Sequence, residues 1–489
     1  MPALWQKDIK RKEKRIVLDK ILEIAAAVDS ILWGPWTLVF IAAVAVYFTI
    51  GTRGFQIRGI NLILSRTFGT LFTGIKTRAK GRMTPFQATS TALASTVGMG
   101  NMAGVATALS IGGPGAIFWM WILALMSMMT KTAEITLAVH YREVDEKGGL
   151  RGGPMYYIQK GLGWKFLAKL FAGGVLINAL FTATLLQSHT VGRAFLSSYK
   201  IDPHITTGVM ALVTAVVIIG GIRRIGQVCE RLVPFMAFVY LAAGILVFFI
   251  NYEKIPEVFA TIFRHAFAPM PAAGGFAGAA IRTAMKEGMA KGMLSNEAGL
   301  GTAPMAHATA ETEHPFQQGL WGAVEVFIDT ILICTITSFA ILSTGLLSSG
   351  RSGIELVIDS FASVFSPPMA NLLISIAILT FCLSTQIGFF IYYETSIISL
   401  FGKNAMTYMR WVYLVPGVLF AGIADVEKLW VFANISVGVC SLPNLVALLA
   451  LSGAFFKLMK DYLWDKNAYA TAIVDTSRKY VRKAGWRGY

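Results

Sequence analysis

Charge is scarce in this chain. Charged residues make up 14% of its 489 residues, hydrophobic residues make up 55%, and mean hydropathy is +0.60. That balance excludes an ordinary soluble enzyme and points to a membrane. Cysteine is scarcer still. Cys229, Cys334, Cys382 and Cys440 lie in or beside apolar segments without close pairing, which argues for packing roles and against a disulfide framework or a zinc site. Histidine is nearly as rare, and His140, His189, His204, His265, His307 and His314 show no metal spacing such as HExxH. No GxxxxGK[ST] phosphate loop occurs, so ATP is not the energy source that the sequence suggests. The formal net charge of +16 would suit a nucleic-acid binder, but the basic residues gather between apolar runs and at the two ends. Membrane topology explains that distribution, and no nucleic-acid partner is read. The basic cluster from Lys7 to Lys20 leads through an amphipathic stretch into a full-length apolar span, without the small-residue cleavage site of a signal peptide.

Apolar runs near the ~20 residues that cross a bilayer number about eleven. Their cores fall at 32–50, 87–109, 115–139, 168–190, 206–221, 232–250, 274–309, 320–347, 369–400, 407–423 and 429–456. The fold class expected is therefore an all-α membrane protein. Two of the spans are interrupted. From Phe86 to Trp121 the chain is apolar enough for lipid yet carries glycine where a helix would be continuous. Glycine costs roughly 1 kcal/mol against alanine inside a helix, and irregular backbone at membrane depth survives only beside a cavity. A half-helix with free N–H and C=O ends is a ligand site. The run 274–309 carries Arg282, Lys286, Glu287, Lys291, Asn296 and Glu297 among many glycines, and reads as a second broken span. Residues 1–29 form a basic amphipathic segment, 30–458 one transmembrane domain, and 459–489 a basic cytoplasmic tail.

Lys and Arg on alternate sides set the orientation. One side collects Arg53, Arg58, Arg66, Lys76, Arg78, Lys80 and Arg82, then Arg142 to Lys165, Arg223, Arg224, Arg231, Lys403, Arg410 and the tail. The opposite side holds only Arg193, Lys200, Lys254, Arg264, Arg351 and Lys428. The positive-inside rule places the first set, and the C-terminus, in the cytoplasm. An odd span count then puts the N-terminus outside, against its own basic cluster, unless that cluster lies along the membrane surface.

Three long ordered blocks carry a resemblance: TVGMGNMAGVATAL with GGPGAIFWMW, then RGGPMYYIQKGLG from Arg151 to Gly163, then GGFAGAA through KGMLSNEAGLGTAPMAHATAETEHPFQQGL. Together they are similar to the alanine or glycine:cation symporter family of prokaryotic amino-acid carriers, over about Ile31 to Gly453. The resemblance implies a leucine-transporter type of fold, with inverted five-helix repeats at about 86–251 and 274–458, discontinuous helices, and the first span as an addition.

The candidate site follows from the residues and this resemblance together. Val97, Gly98, Met99, Gly100 and Asn101 form the expected unwound stretch, where glycines let backbone N–H groups approach a substrate carboxylate at the positive end of a half-helix. Thr96 and Asn101 are polar groups beside the break that need partners in so apolar a core, with capping of the interrupted helix as the alternative role. Gln187 offers an amide to the substrate, at a place where the family pattern has glutamine, whereas His189 stands where asparagine is commoner. In the second break, Met293 and Leu294 limit the side-chain pocket, Ser295 and Asn296 contact the substrate, and Glu297 supplies an ion pair or a cap. The resemblance implies one Na⁺ held by the backbone of Ala94, Val97 and Phe381 and by the hydroxyls of Ser384 and Thr385. By themselves, those hydroxyls also fit a helix–helix hydrogen bond. Glu134, Glu325, Asp329 and Glu394 are expected at span ends and in gating salt bridges, since a lone intramembrane charge is costly.

Two departures stand out. Where the family reads close to GWSYYGE on the ninth span, this chain has Gly388 to Glu394 as GFFIYYE, so Phe389 replaces a tryptophan at a pocket wall or gate. Asn434 stands where the family tends to have an acid. The expectation is a secondary active transporter in a prokaryotic inner membrane, moving a small neutral amino acid, alanine or glycine, inward with Na⁺. It needs no cofactor and no obligate protein partner. One cation crossing a membrane potential releases about 2.3 kcal/mol per 100 mV. A cation channel lined by the interrupted helices is the competing class, and a membrane-embedded enzyme the third.

Overall fold

The structure is a computed structural model, and it describes residues 20, 23–69, 82–146, 148–267, 277–422 and 426–464, with the side chains of 277–280 and 426–429 left aside. Apart from Lys20, the basic N-terminal cluster lies outside the described residues. So do Lys76, Arg78 and Lys80, and the tail beyond Trp464.

Among the described residues, seven helices are long and apolar enough to cross a membrane, and an eighth span is the bent pair Pro85–Thr96 with Gly100–Gly112. The other three of the expected eleven are shorter or more polar: Pro203–Ile219, Ala277–Asn296 with Pro304–His307, and Met406–Leu419. The first span starts at Glu23, upstream of the expected core, turns at Trp33 and Gly34, and runs to Gly51. Trp33 donates its indole N–H to the Asn434 carbonyl at 3.0 Å, which seats this added helix on the eleventh span. At the other end of the chain the eleventh span, Val426–Ala450, stops at Leu451, and a further helix, Ser452–Trp464, crosses the expected start of the tail at 459.

The order of elements repeats. After the broken second span come Gly115–His140, the short helix Pro154–Leu162, the 35-residue Lys165–Tyr199, the 17-residue Pro203–Ile219 and Gly221–Ile250. After the broken seventh come Pro315–Thr344, the short helix Gly353–Ala362, the 35-residue Pro367–Phe401, the 14-residue Met406–Leu419 and Val426–Ala450. Two five-span units in series must run in opposite directions, because an odd number of crossings ends on the far side. This is the inverted-repeat arrangement expected from the motifs. The β-structure described is a two-residue antiparallel pair, Glu143–Val144 with Leu150–Arg151, and an isolated parallel bridge between Met83 and Ala310.

Several of the basic residues are held by local pairs within one set or the other. At one end Arg82 pairs with Glu311 at 3.6 Å, Lys403 with Glu146 at 3.4 Å, and Arg142 donates to the carbonyls of Ala308 and Ala310 at 3.2 and 2.6 Å. Arg193 with Glu355 at 2.7 Å and Arg351 with Asp359 at 2.8 Å belong to the other set. In the loop before the eighth span, His314 accepts the Phe316 N–H at 3.0 Å. Burial lowers its pKa to about 4, which keeps the ring neutral and able to accept.

Candidate functional site

The first break begins where a well-started helix runs out. Thr84 and Gln87 cap its N-terminus reciprocally, and the helix runs from Pro85 to Thr96. Val97 is then extended (φ −76°, ψ 98°), the axis bends by 49°, and a π-helical turn from Gly100 to Gly104 restarts it. The Gly98 N–H points to Asn101 Oδ1 at 2.9 Å and the Met99 N–H to Gln187 Oε1 at 3.1 Å. Two N–H groups freed by the break are thus held by two neutral side-chain amides. Glycine is required at 98: a Cβ there would stand 2.5 Å from Thr385 Oγ1 and 3.1 Å from Gln187 Oε1. The Thr96 hydroxyl donates to the Leu93 carbonyl at 3.2 Å within its own helix.

The five groups expected to hold an ion come together. Ser384 Oγ lies 2.8 Å from the Phe381 carbonyl and 3.3 Å from that of Ala94. Thr385 Oγ1 lies 3.0 Å from the Phe381 carbonyl and 3.4 Å from that of Val97. Two hydroxyls of the ninth span thereby face carbonyls freed at the end of a half-helix, an all-oxygen set that suits a hard cation. The ninth span can approach so closely because Gly388 lies against Thr91 and Ser95; a Cβ at 388 would stand 2.5 Å from Ser95 Oγ and 2.7 Å from the Thr91 carbonyl. Gly98 lies between this oxygen cluster and Gln187, so the two parts of the candidate site are neighbours.

In the seventh span the helix continues through Gly288 and Gly292 to Asn296. Those glycines serve packing: a Cβ at Gly292 would meet Met120 Cγ at 3.1 Å. The break itself is a left-handed turn at Glu297 (φ 55°), Gly299 (φ 90°) and Gly301 (φ 81°). Glu297 caps it, accepting the Thr302 hydroxyl at 2.7 Å, and Asn296 Oδ1 accepts the Ala298 N–H at 2.9 Å. Asn296 also donates to Thr330 Oγ1 at 3.1 Å, and Ser295 donates to Asp329 Oδ2 at 2.7 Å. Met293 is buried against Gly299, Leu294 is half-buried, and the Phe389 ring meets Tyr392 edge-on at 4.8 Å between centroids. The two breaks face each other: a Cβ on Gly100 would stand 3.5 Å from the Ser295 Cα.

Of the four carboxylates expected at span ends and in salt bridges, three lie in the interior, and one of these, Glu325, is in an ion pair. Asp329, fully buried, accepts Asn101 Nδ2 at 2.7 Å, Ser295 Oγ at 2.7 Å and Thr330 Oγ1 at 2.8 Å, and so joins both breaks. Glu325, also fully buried, pairs with Lys131 at 3.1 Å and with His307 Nε2 at 2.5 Å. Glu134 accepts from the Asn444 amide, whose oxygen in turn accepts the Tyr157 hydroxyl. Each finds donors or a cation in the interior, which offsets the cost of burying a carboxyl group. Glu394 alone stays near an end, lining a recess with Arg151, Lys403 and Arg410. Asp329 and Lys131 were not singled out as site residues by the sequence pattern. The missing signal is local geometry: Asp329 sits in a π-helical stretch, Phe327–Cys334, Asn101 in Gly100–Gly104, and Gln187 directly after Ala179–Leu186. Such wide turns recur at functional sites, and no residue pattern here announces them.

Residues 18–476 match the sodium:alanine symporter family. The "Sodium/alanine symporter AgcS" of Methanococcus maripaludis is 38% identical over 440 residues, covering 88% of this chain and 95% of that protein. The "Probable sodium/glutamine symporter GlnT" of Bacillus subtilis is 36% identical, covering 92% and 93%. The "Uncharacterized transporter YflA" of the same organism is 36% identical, covering 95% and 98%. The chain belongs to the sodium:alanine symporter family and is a sodium-coupled amino-acid symporter, a multi-pass secondary transporter and not an enzyme.

Proposed function

We propose that this symporter carries a small neutral amino acid, alanine or glycine, inward with Na⁺ across a prokaryotic inner membrane, with its C-terminus in the cytoplasm. The observation that carries the reading is the meeting of two hydroxyls and three carbonyls between the second and ninth spans, directly beside two N–H groups held by neutral amides. Na⁺ would take the five oxygens, with the hydroxyl protons turned away. The substrate carboxylate would take over the N–H groups of Gly98 and Met99 from Asn101 and Gln187. A small substrate is supported by how closely Gly100 approaches Ser295, which leaves the two breaks in near contact. Glu297 and Asn296 shape the second break, and Met293 and Leu294 belong to its apolar side.

Coupling follows from shared residues. Gly98 lies between Thr385 of the oxygen cluster and the Gln187 amide, so closing the ion site fixes the position of the carboxylate site. Each ligand then raises the affinity of the other by the same factor. The test is uptake of radiolabelled alanine, glycine and glutamine into proteoliposomes under an inward Na⁺ gradient, with an equal K⁺ gradient as control. Accumulation of alanine or glycine with Na⁺ alone is expected. Accumulation of glutamine but neither small amino acid would overturn the substrate assignment.

A further inference from the structure

Lys131 is a lysine in the middle of the third span with no exposed surface. Its ammonium donates to the carbonyl of Asn296 at 2.6 Å, the last residue of the half-helix Ala277–Asn296, and so sits at the negative end of that helix dipole. The same nitrogen pairs with Glu325 of the eighth span at 3.1 Å. From there a chain of contacts continues: Glu325 to His307 at 2.5 Å, His307 to Gln318 at 2.8 Å, and Gln318 to the Pro85 carbonyl at 3.4 Å. Pro85 opens the first half of the second span. One connected line of side chains thus runs from the second break to the foot of the first broken helix. The eighth span admits the lysine through glycine, since a Cβ at Gly322 would stand 3.0 Å from Lys131 Cγ.

We propose that Lys131 is a positioning residue for the transport cycle: through Glu325, His307 and Gln318 it ties the two broken spans into one body that moves as a unit while ligands bind elsewhere. The proposal rests on the symporter reading above. Neither ligand of that reading touches Lys131. A direct part in binding would need the ammonium to leave a carbonyl and a carboxylate that it already holds. A four-member chain of discrete contacts, by contrast, transmits displacement from one break to the other.

Two measurements test this. In proteoliposomes, Lys131→Met and Gln318→Ala should lower the maximal rate of Na⁺-driven alanine uptake, by about tenfold and about threefold, while equilibrium binding of Na⁺ and alanine to the folded protein changes less than about threefold. Lys131→Arg, which keeps the charge, should recover much of the rate. In the second measurement, hydrogen exchange is followed at 84–96 and at 297–310. Both segments should lose protection together in Lys131→Met and in Gln318→Ala. Gln318→Ala lies outside the ion pair and carries the test where Lys131→Met does not fold. Loss of protection at 297–310 alone would overturn the proposal, as would unchanged rates in both folded variants, or binding lost in step with rate. Hydrogen exchange does not depend on the transported substrate. Joint loss of protection without alanine uptake by the unaltered protein would therefore count against the functional reading and for the link.

Discussion

The two breaks differ in what holds them. In the first, the freed N–H groups of Gly98 and Met99 rest on the neutral amides of Asn101 and Gln187. In the second, the last carbonyl of the half-helix is held by an ammonium that is itself paired with a carboxylate. A neutral amide contact contributes about 0.5–1.5 kcal/mol net, so an anionic ligand can replace it at small cost. Breaking a buried ion pair costs ~3–5 kcal/mol, which no small neutral substrate would recover there. The comparison teaches that similar interruptions can have opposite duties. On the reading proposed above, the first break exchanges its partners and the second keeps them. Asp329 connects the two, bonding to Asn101 on one side and Ser295 on the other.

That contrast can be broken in graded steps. The largest effect is expected at the second break, where Lys131→Met leaves Glu325 without its cation and should lower stability by ~3–5 kcal/mol in a thermal melt; Lys131→Met with Glu325→Gln should recover part of the loss. At the first break Gly98→Ala drives a methyl group into Thr385 and Gln187, a strain of roughly 1–3 kcal/mol that falls on both ligand sites, and uptake should drop about 10- to 100-fold. Ser384→Ala with Thr385→Ala should raise the Na⁺ half-saturation by about tenfold, or ~1.4 kcal/mol, with the melt nearly unchanged. Gln187→Ala should raise the substrate half-saturation by about three- to tenfold, the worth of one hydrogen bond, with little change in maximal rate. The smallest effect is expected at Phe389→Trp: its aromatic partner is Tyr392, so the preference of alanine over glutamine should move by less than about threefold, within the reach of one edge contact.

Much of this was legible in the sequence because it follows from hydropathy and glycine. Span order and the first break come from runs and gaps. The Ser384–Thr385 pair was legible only with the family motifs beside it, since two hydroxyls on an apolar helix suit a packing contact as well. The second break lies inside the run 274–309, as expected, but Met293 to Asn296, read as part of it, still belong to the half-helix, and Gly292 packs against the third span. Glu134, Glu325 and Asp329 were expected at span ends or in salt bridges because composition prices a buried charge without its partners; Glu325 is in an ion pair, and all three lie in the interior. Lys131, His307 and Asn101 supply those partners from distant parts of the chain, and only the fold brings them together. The π-helical turns that aim Asn101, Gln187 and Asp329 inward leave no periodic trace in the residues.

The central claim is that the oxygen cluster at Ser384 and Thr385 and the amide-held N–H pair at Gly98 and Met99 form one coupled site. Equilibrium binding of alanine to the purified protein, measured over a series of Na⁺ concentrations at constant ionic strength, tests it most directly. The account predicts that alanine affinity rises with Na⁺, that Na⁺ affinity rises by the same factor with alanine, and that both rises vanish together in the Ser384→Ala, Thr385→Ala variant. Alanine affinity indifferent to Na⁺, or linkage that survives the loss of both hydroxyls, would contradict it.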